Sequence, residues 1–318
     1  MTSGAPVRAP LDIAPGFTTR FAPAPTGYLH LGHAVNAVWV WGIARAFGGR
    51  VLLRVEDHDR GRCRRDYETA LLDDLDWLGL VPDGVSTADL RAGPSPQRQS
   101  DNLARYAARL SELEHLGLAY PCRCSRAEVA RAEVARAQGA DLPDQAELRY
   151  PGTCRDVGGA PAITPARRVE MSAGTTEHFN DLRLGPQSQD PDLQCGDLLV
   201  RDRHGNWTYQ FAVVVDDHEQ GVDLVIRGED LLASTGRQLR LGRLLGRSEP
   251  PQFLHHPLLR HPDGRKLSKS AHDTGLRELR AAGRSRDDVL GLAAHLSGLV
   301  DVAGPVAPDR LADLFSSA

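Results

Sequence analysis

The sequence predicts an α/β fold organised on a parallel β-sheet, and three observations lead there. Between residues 17 and 55 a short apolar strand, a Pro/Gly loop, a helix and a second apolar strand follow one another. That strand-helix-strand order makes the neighbouring strands parallel. A further apolar strand pattern recurs far downstream, at residues 223–228. Between them, from Gly139 to about Gln194, periodicity is lost and Pro, Gly and Ser are scattered, which reads as an insertion into the core.

Residues 17–22 form the first strand, and Pro23-Ala24-Pro25-Thr26-Gly27 must be loop because Pro and Gly interrupt a ladder. A helix begins near His30. Its Val35, Val38, Val40, Trp41 and Ile43 run nearly all round the axis, as in a helix packed under a sheet, and Gly48-Gly49 stops it. Residues 51–55 read as a buried strand. From Tyr67 to Leu80 the positions Ala70, Leu71, Leu75, Trp77 and Leu78 keep a helical period until Gly79 and Pro82 end it. Further helices are expected over 100–117, 125–137, 284–299 and 308–315, and the core pattern resumes at Tyr209. The chain divides accordingly into a tail (1–17), a first half of the core (18–98), an inserted α+β subdomain (99–208), a second half of the core (209–257) and a lysine-bearing loop with a short helical region (258–318).

With 318 residues and 41% hydrophobic composition, such a chain can bury a sizeable core without disulfides. Residues 1–16 lack the apolar stretch of a secretion signal, and no later run approaches the ~20 apolar residues of a membrane span. A cytoplasmic, monomeric protein is expected. The net charge of -4 argues against a protein that coats nucleic acid indiscriminately. Five cysteines are an odd number for a disulfide framework, so the clustered ones raise the question of metal.

Two groups of residues carry phosphate chemistry. His30 and His33 sit three apart on the first turn of a helix that follows a strand and a Pro/Gly loop, where amides and dipole favour anions. Both rings can reach phosphoryl oxygens as charge develops. Only two of the 38 basic residues are lysines, Lys266 and Lys269, and both fall in Lys266-Leu267-Ser268-Lys269-Ser270. A compact ammonium on a flexible stem suits a phosphate that moves during reaction.

Four ordered motifs resemble a known family. Residues 20–33, from Arg20-Phe21-Ala22-Pro23-Ala24-Pro25 to His30-Leu31-Gly32-His33, resemble the first signature of the glutamyl- and glutaminyl-tRNA synthetases of class I, and residues 266–270 resemble their second. Arg54-Val55-Glu56-Asp57-His58-Asp59-Arg60 and Val225-Ile226-Arg227-Gly228-Glu229-Asp230 resemble two further blocks, so the likeness covers about residues 18–275. It implies a Rossmann-type core that activates L-glutamate as an acyl-adenylate, with ATP as substrate accompanied by Mg²⁺. His30, His33, Lys266 and Lys269 would act on the triphosphate, and Gly32 would join the ATP contacts. Glutamate needs one anion and several donors: Glu56 can take the ammonium, Arg20 and Arg227 can clamp carboxylates through two prongs, and Tyr209 can add a hydroxyl. These four match the family's glutamate positions. Backbone groups of Arg20, Phe21, Ala22, Pro23 and Ala24 complete the pocket, although Ala24 stands where the family usually shows Ser and supplies no hydroxyl.

Cys122, Cys124 and Cys154 give three thiols bordered by turn residues, one short of a tetrahedral structural Zn²⁺ site. The resemblance names Tyr150 as fourth ligand, and His115 is its ordinary chemical competitor. Cys63 and Cys195 read as plain buried thiols. Arg237, Arg240, Arg243 and Arg247 recur at near-helical spacing, a stripe that could follow RNA or form a solvated face. The stretch after residue 270 is too short for the anticodon-reading domain of a full-length glutamyl or glutaminyl enzyme. Together with the Cys-x-Cys and Tyr-x-x-x-Cys pattern and residues 209–217, this layout resembles a shortened glutamyl branch of the family, and that resemblance implies transfer of glutamate to the queuosine base in the anticodon loop of tRNA(Asp). The rivals are an adenylating enzyme loading a small amine or another tRNA, and a non-catalytic RNA-binding relative.

Overall fold

A computed structural model describes residues 11–136, 148–155, 166–171, 174–259 and 275–316. The elements run β1 (Thr18–Phe21), α1 (Leu31–Ala46), β2 (Arg50–Leu53), α2 (Arg65–Leu78), α3 (Thr87–Ala92), α4 (Leu103–His115), β3 (Ala119–Pro121), α5 (Arg126–Arg136), β4 (Arg167–Val169), β5 (Glu177–Asp181), β6 (Gly185–Gln189), α6 (Pro191–Cys195), β7 (Leu198–Arg201), α7 (Tyr209–Glu219), β8 (Leu224–Gly228), α8 (Thr235–Leu244), β9 (Gln252–His256), α9 (Leu276–Ala281) and α10 (Arg286–Leu296). No described helix is long and apolar enough to cross a membrane.

The parallel sheet is present. β1 pairs in parallel with β2, β8 with β9, and β9 with β5 through Asp181 and Phe253. β8 starts beside β1, where the Asp223 N–H donates to the Thr18 carbonyl at 2.8 Å. Beneath the sheet lies α1, whose Val35, Val38, Trp39, Val40 and Ile43 are all buried, in one core with Leu53, Leu75, Ile226, Leu254 and Leu290. α2 ends as its sequence dictates, with Gly79 in the left-handed region at φ 70°. The inserted segment adds an antiparallel sheet in the order β3-β4-β7, packed through Tyr106, Leu113, Trp207 and Phe211 into a second core between α4 and α7.

Two expectations need correction. Residues 177–189 fall in the stretch expected to be an aperiodic insertion, yet β5 and β6 extend the core sheet in the order β6-β5-β9-β8. Their sequences, Glu177-His178-Phe179-Asn180-Asp181 and Gly185-Pro186-Gln187-Ser188-Gln189, carry no apolar alternation. Pairing and a buried ion pair place them instead: Glu177 is fully buried and accepts from Arg240 at 2.6 Å and from Arg243. Most of the arginine stripe is likewise turned inward, while Arg243 is exposed. Arg237 and Arg240 are buried, Arg240 also donates to the Met171 carbonyl at 2.9 Å, and Arg247 donates to the Val222 carbonyl at 2.5 Å. Arg243 reaches solvent while paired with Glu177, so the stripe is not a wholly solvated face.

The two halves of the core meet in a buried charge network. Arg54, on the chain just after β2, is fully buried and donates to Asp217 at 2.7 Å and to Glu56 at 3.1 Å. Burial alone would weaken its charge, but Asp217, Glu56 and Asp216 outweigh that and raise its pKa. Arg54→Leu is expected to destabilise the fold by about 3–5 kcal/mol, because it leaves buried carboxylates without their partner; urea denaturation of the two proteins measures the difference. A change below about 1 kcal/mol would mean that the network is not holding the halves together.

Candidate active site

The carboxyl ends of β1 and β8 and the start of α1 enclose a cleft of about 520 Å³. Arg20, Ala22, His30, Gly32, His33, Glu56, Tyr209 and Arg227 all line it. Residues far apart in the chain are thus brought to one wall, where a parallel sheet opens its ligand crevice. Phe21, Pro23 and Ala24 are not among the lining residues. A strand alternates its side chains, so Phe21 turns into the core with its ring 5.2 Å from that of Trp41. The Pro23 carbonyl accepts the Glu56 N–H at 3.1 Å, and the Ala24 carbonyl accepts the Thr26 N–H at 2.8 Å.

His30 and His33 close the first turn of α1 as a reciprocal cap. His30 is the N-cap and its Nδ1 accepts the Gly32 N–H at 3.0 Å; the His33 Nδ1 accepts the His30 N–H at 3.2 Å. The His33 N–H in turn donates to the His30 carbonyl at 2.8 Å. Most amides expected to meet an anion directly are therefore occupied. Accepting at Nδ1 gives each neutral ring its proton on Nε2, so the rings rather than the amides present the donors.

The arginines differ in their compensation. Arg20 is buried and its Nε donates to Asp217 at 3.1 Å; Asp217 is held below the usual carboxylate range because Arg20 and Arg54 outweigh its burial. Arg227 is equally buried, yet its contacts are neutral: Nε to His255 Nε2 at 3.0 Å, Nη1 to Gln238 at 2.6 Å, and Nη2 to Thr235 at 2.9 Å and the Leu231 carbonyl at 3.3 Å. Burial accordingly lowers its pKa, and the like charge of Arg20 adds to that. With these donors committed and Tyr209 hydrogen-bonded to it as well, Arg227 offers a ligand its charge rather than an open two-pronged fork. Glu56 is oriented by Arg54, and burial raises the pKa of the Tyr209 hydroxyl, keeping it a donor.

Lys266 and Lys269 lie outside the described residues. The chain on either side of them does border the cleft: Leu259 lines it, Gly275 forms a bridge with His30, and the Leu276 N–H donates to the Leu29 carbonyl at 3.0 Å. Sequence reasoning missed Asn36, Asp230 and His256, which also line the cleft. His256 Nε2 lies 3.2 Å from the Asn36 side-chain oxygen, and burial pushes its pKa down to about 4, so it is neutral. Adjacent histidines at the end of an apolar strand were the available signal.

The three cysteines converge on a separate point. The Sγ atoms of Cys122, Cys124 and Cys154 lie within 4.8 Å of one another. The Tyr150 hydroxyl sits among them, 3.5 Å from Cys122 Sγ and 3.7 Å from Cys124 Sγ, and accepts the Cys154 N–H at 2.9 Å. Arg168 stacks 3.7 Å from the Tyr150 ring centroid and donates to Cys122 Sγ at 3.3 Å. Burial would raise the Cys154 thiol, but hydrogen bonds from Tyr150 and the Arg123 backbone bring it down to about 7. His115 is exposed on α4, with Nδ1 2.6 Å from its own Ser111 carbonyl, and does not belong to the group. The three converging sulfurs are compatible with a zinc ion. Cys195 is buried as expected, whereas Cys63 is only half-buried, its thiol pushed up to about 11 by burial and Asp57.

A fold of this kind, with paired histidines at the first helix and a charged crevice beside them, defines a class I nucleotide-dependent ligase core. Residues 17–291 match the family model of the class I tRNA synthetases (E and Q), catalytic domain, and the chain belongs to that family, in the branch of the glutamyl-Q tRNA(Asp) synthetases. It is 39% identical to the glutamyl-Q tRNA(Asp) synthetase of Nitratidesulfovibrio vulgaris, over 94% of this chain and 92% of that one. The Symbiobacterium thermophilum protein of the same name is 42% identical over the same shares. Among solved structures, a glutamate tRNA ligase from Elizabethkingia meningosepticum in complex with its amino acid superposes with a TM-score of 0.74 at 26% identity. The match covers 94% of this chain and 65% of that one, so this chain spans slightly less than two thirds of the solved ligase.

If the cysteine cluster holds zinc, elemental analysis of the purified protein should return about one zinc per chain, and Cys154→Ser should abolish it. Chelation should then loosen the β3-β4-β7 region in hydrogen exchange before the parallel sheet. Protein free of zinc as isolated, with all three thiols titrating at once, would rule this out.

Proposed function

We propose that this protein joins L-glutamate to ATP as glutamyl-adenylate without tRNA, and then transfers the glutamyl group to the queuosine base in the anticodon loop of tRNA(Asp). The observation that carries the first half is Arg227: a buried cation whose contacts among the described residues are all neutral, facing a cleft large enough for an amino acid and a nucleotide. An uncompensated buried charge is costly, and an anionic ligand removes that cost. The side-chain carboxylate of glutamate fits there, with the Tyr209 hydroxyl beside it and Glu56 placed for the ammonium. Support for the second half comes from the names of the relatives that the chain matches nearly end to end.

In the reaction a glutamate carboxylate oxygen attacks the α-phosphorus of ATP in line, and the bond to pyrophosphate breaks. The protein's part is chiefly to place the reactants and to donate to developing charge. The Nε2–H groups of His30 and His33 would donate to the phosphoryl oxygens from the α1 side. Lys266 and Lys269 would meet the phosphates from the segment that leaves the cleft at Leu259 and returns at Gly275. Mg²⁺ would accompany the ATP and share the phosphate charge. Zn²⁺ would be structural, held by Cys122, Cys124, Cys154 and Tyr150.

The decisive experiment incubates the protein with ATP and labelled glutamate, first alone and then with tRNA(Asp) that carries or lacks queuosine. Pyrophosphate exchange without tRNA and label only in queuosine-bearing tRNA are expected. Exchange with no label in either tRNA points to another acceptor, and no exchange at all points to a non-catalytic relative. Lys269→Ala should depress kcat of exchange by about 100-fold or more while the glutamate requirement stays nearly constant. Arg227→Ala should raise KM for glutamate by about 100-fold, the scale of a lost charge-assisted contact; unchanged dependence would remove Arg227 from the pocket.

A further inference from the structure

β9 ends in two adjacent histidines, and the two-residue period of a strand sends them to opposite faces. His256 lines the cleft. His255 turns the other way and is fully buried. Its Nδ1 lies 2.6 Å from Asp181 Oδ2, and its Nε2 lies 3.0 Å from Arg227 Nε. An arginine Nε can only donate, so His255 Nε2 carries no proton and the ring's single proton sits on Nδ1, facing Asp181. Asp181 is itself fully buried on β5, its oxygens also accepting the backbone N–H groups of His255, Arg183 and Leu184 at 3.1, 3.1 and 2.9 Å. That saturation keeps the carboxylate one imidazole away from Arg227. Burial holds the His255 pKa below the ordinary histidine value, the Asp181 hydrogen bond opposing and the Arg227 charge reinforcing.

We propose that His255 is a specificity-determining positioning residue: braced by Asp181, its neutral Nε2 fixes the Arg227 guanidinium in the cleft wall without cancelling its charge. The inference rests on the reading of the cleft as a glutamate pocket. A carboxylate in direct contact with Arg227 would orient it equally well but would neutralise it, and the pocket would then accept a neutral side-chain amide as readily as an acid. Holding the arginine through a neutral acceptor leaves the full charge for the ligand, so glutamate is selected over glutamine. Gln238, Thr235 and Tyr209, which also bond the guanidinium, are neutral as well. This arrangement also explains why β5 belongs to the core sheet: it delivers Asp181 to the back of the pocket.

The test compares His255→Asn with His255→Gln in the full-length protein. Asn can keep a donor toward Asp181 but is too short to reach Arg227, whereas Gln can set an amide oxygen near the place of Nε2. Pyrophosphate exchange is measured against glutamate, glutamine and ATP, with thermal melting to confirm that each variant is folded. His255→Asn should raise KM for glutamate about tenfold and cut the preference for glutamate over glutamine by a similar factor, with kcat and KM for ATP within about twofold. His255→Gln should recover most of both. Equal losses in the two variants, a loss confined to kcat or ATP, or an unchanged glutamate-to-glutamine preference would each overturn the proposal. Should the Asn variant fail to fold, the Gln variant decides by whether it keeps that preference. If the unaltered protein shows no glutamate-dependent exchange, the pocket reading fails by itself. Calorimetry with glutarate then reads the inference separately: tighter binding by the Gln than by the Asn variant supports it, and equal binding overturns it.

Discussion

Two aspartates side by side on α7 hold the catalytic half-cores together. Asp217 receives Arg20 from β1 and Arg54 from the end of β2. Asp216 receives Arg105 at 2.9 Å, the Tyr106 hydroxyl at 2.8 Å and Gln99 at 2.8 Å. Nearly all these groups are removed from water, so each charge depends on the others. A break anywhere would strand a carboxylate or a guanidinium in a low dielectric. The same network sets the cleft, because Arg20 and Glu56 take their orientation from it.

Charge is distributed in the cleft with a consistent logic. Arg20 is bound to an aspartate and contributes little free charge, whereas Arg227 is ringed by neutral acceptors and retains its own. His30 and His33 spend their Nδ1 atoms on the helix cap. The cap therefore does two things at once: it satisfies backbone donors that a helix start leaves open, and it fixes the tautomer each ring shows to a ligand. Function here comes less from which residues are present than from which of their atoms the fold has already occupied.

The inserted region follows a different rule. Its small sheet packs on α4 and α7 through Tyr106, Trp207 and Phe211, whereas among the described residues the cysteine group has Val129, Tyr150 and a few partly buried neighbours around it. A metal contributes most to folding where a cluster buries little apolar surface. The Tyr150 hydroxyl stands among the three sulfurs, and His115 stands apart from them.

Local order was legible in the amino-acid sequence because it rests on local causes. The first strand, the Pro/Gly turn, the all-round apolar α1 and the Gly79 stop follow from period, cap and breaker, and the ordered motifs carried the family and the residues that meet in the cleft. The partners of charged side chains were not legible. An arginine stripe at helical spacing reads the same whether it faces water or a buried glutamate, and β5 has no pattern to announce that it joins the core. Whether Arg227 is compensated depends on β9, α8 and β5 arriving together, and Arg20 meets Asp217 across 197 positions of chain. Sequence proximity sets the helix and the turn, but burial and ionic pairing are properties of a neighbourhood, and only the folded chain creates one.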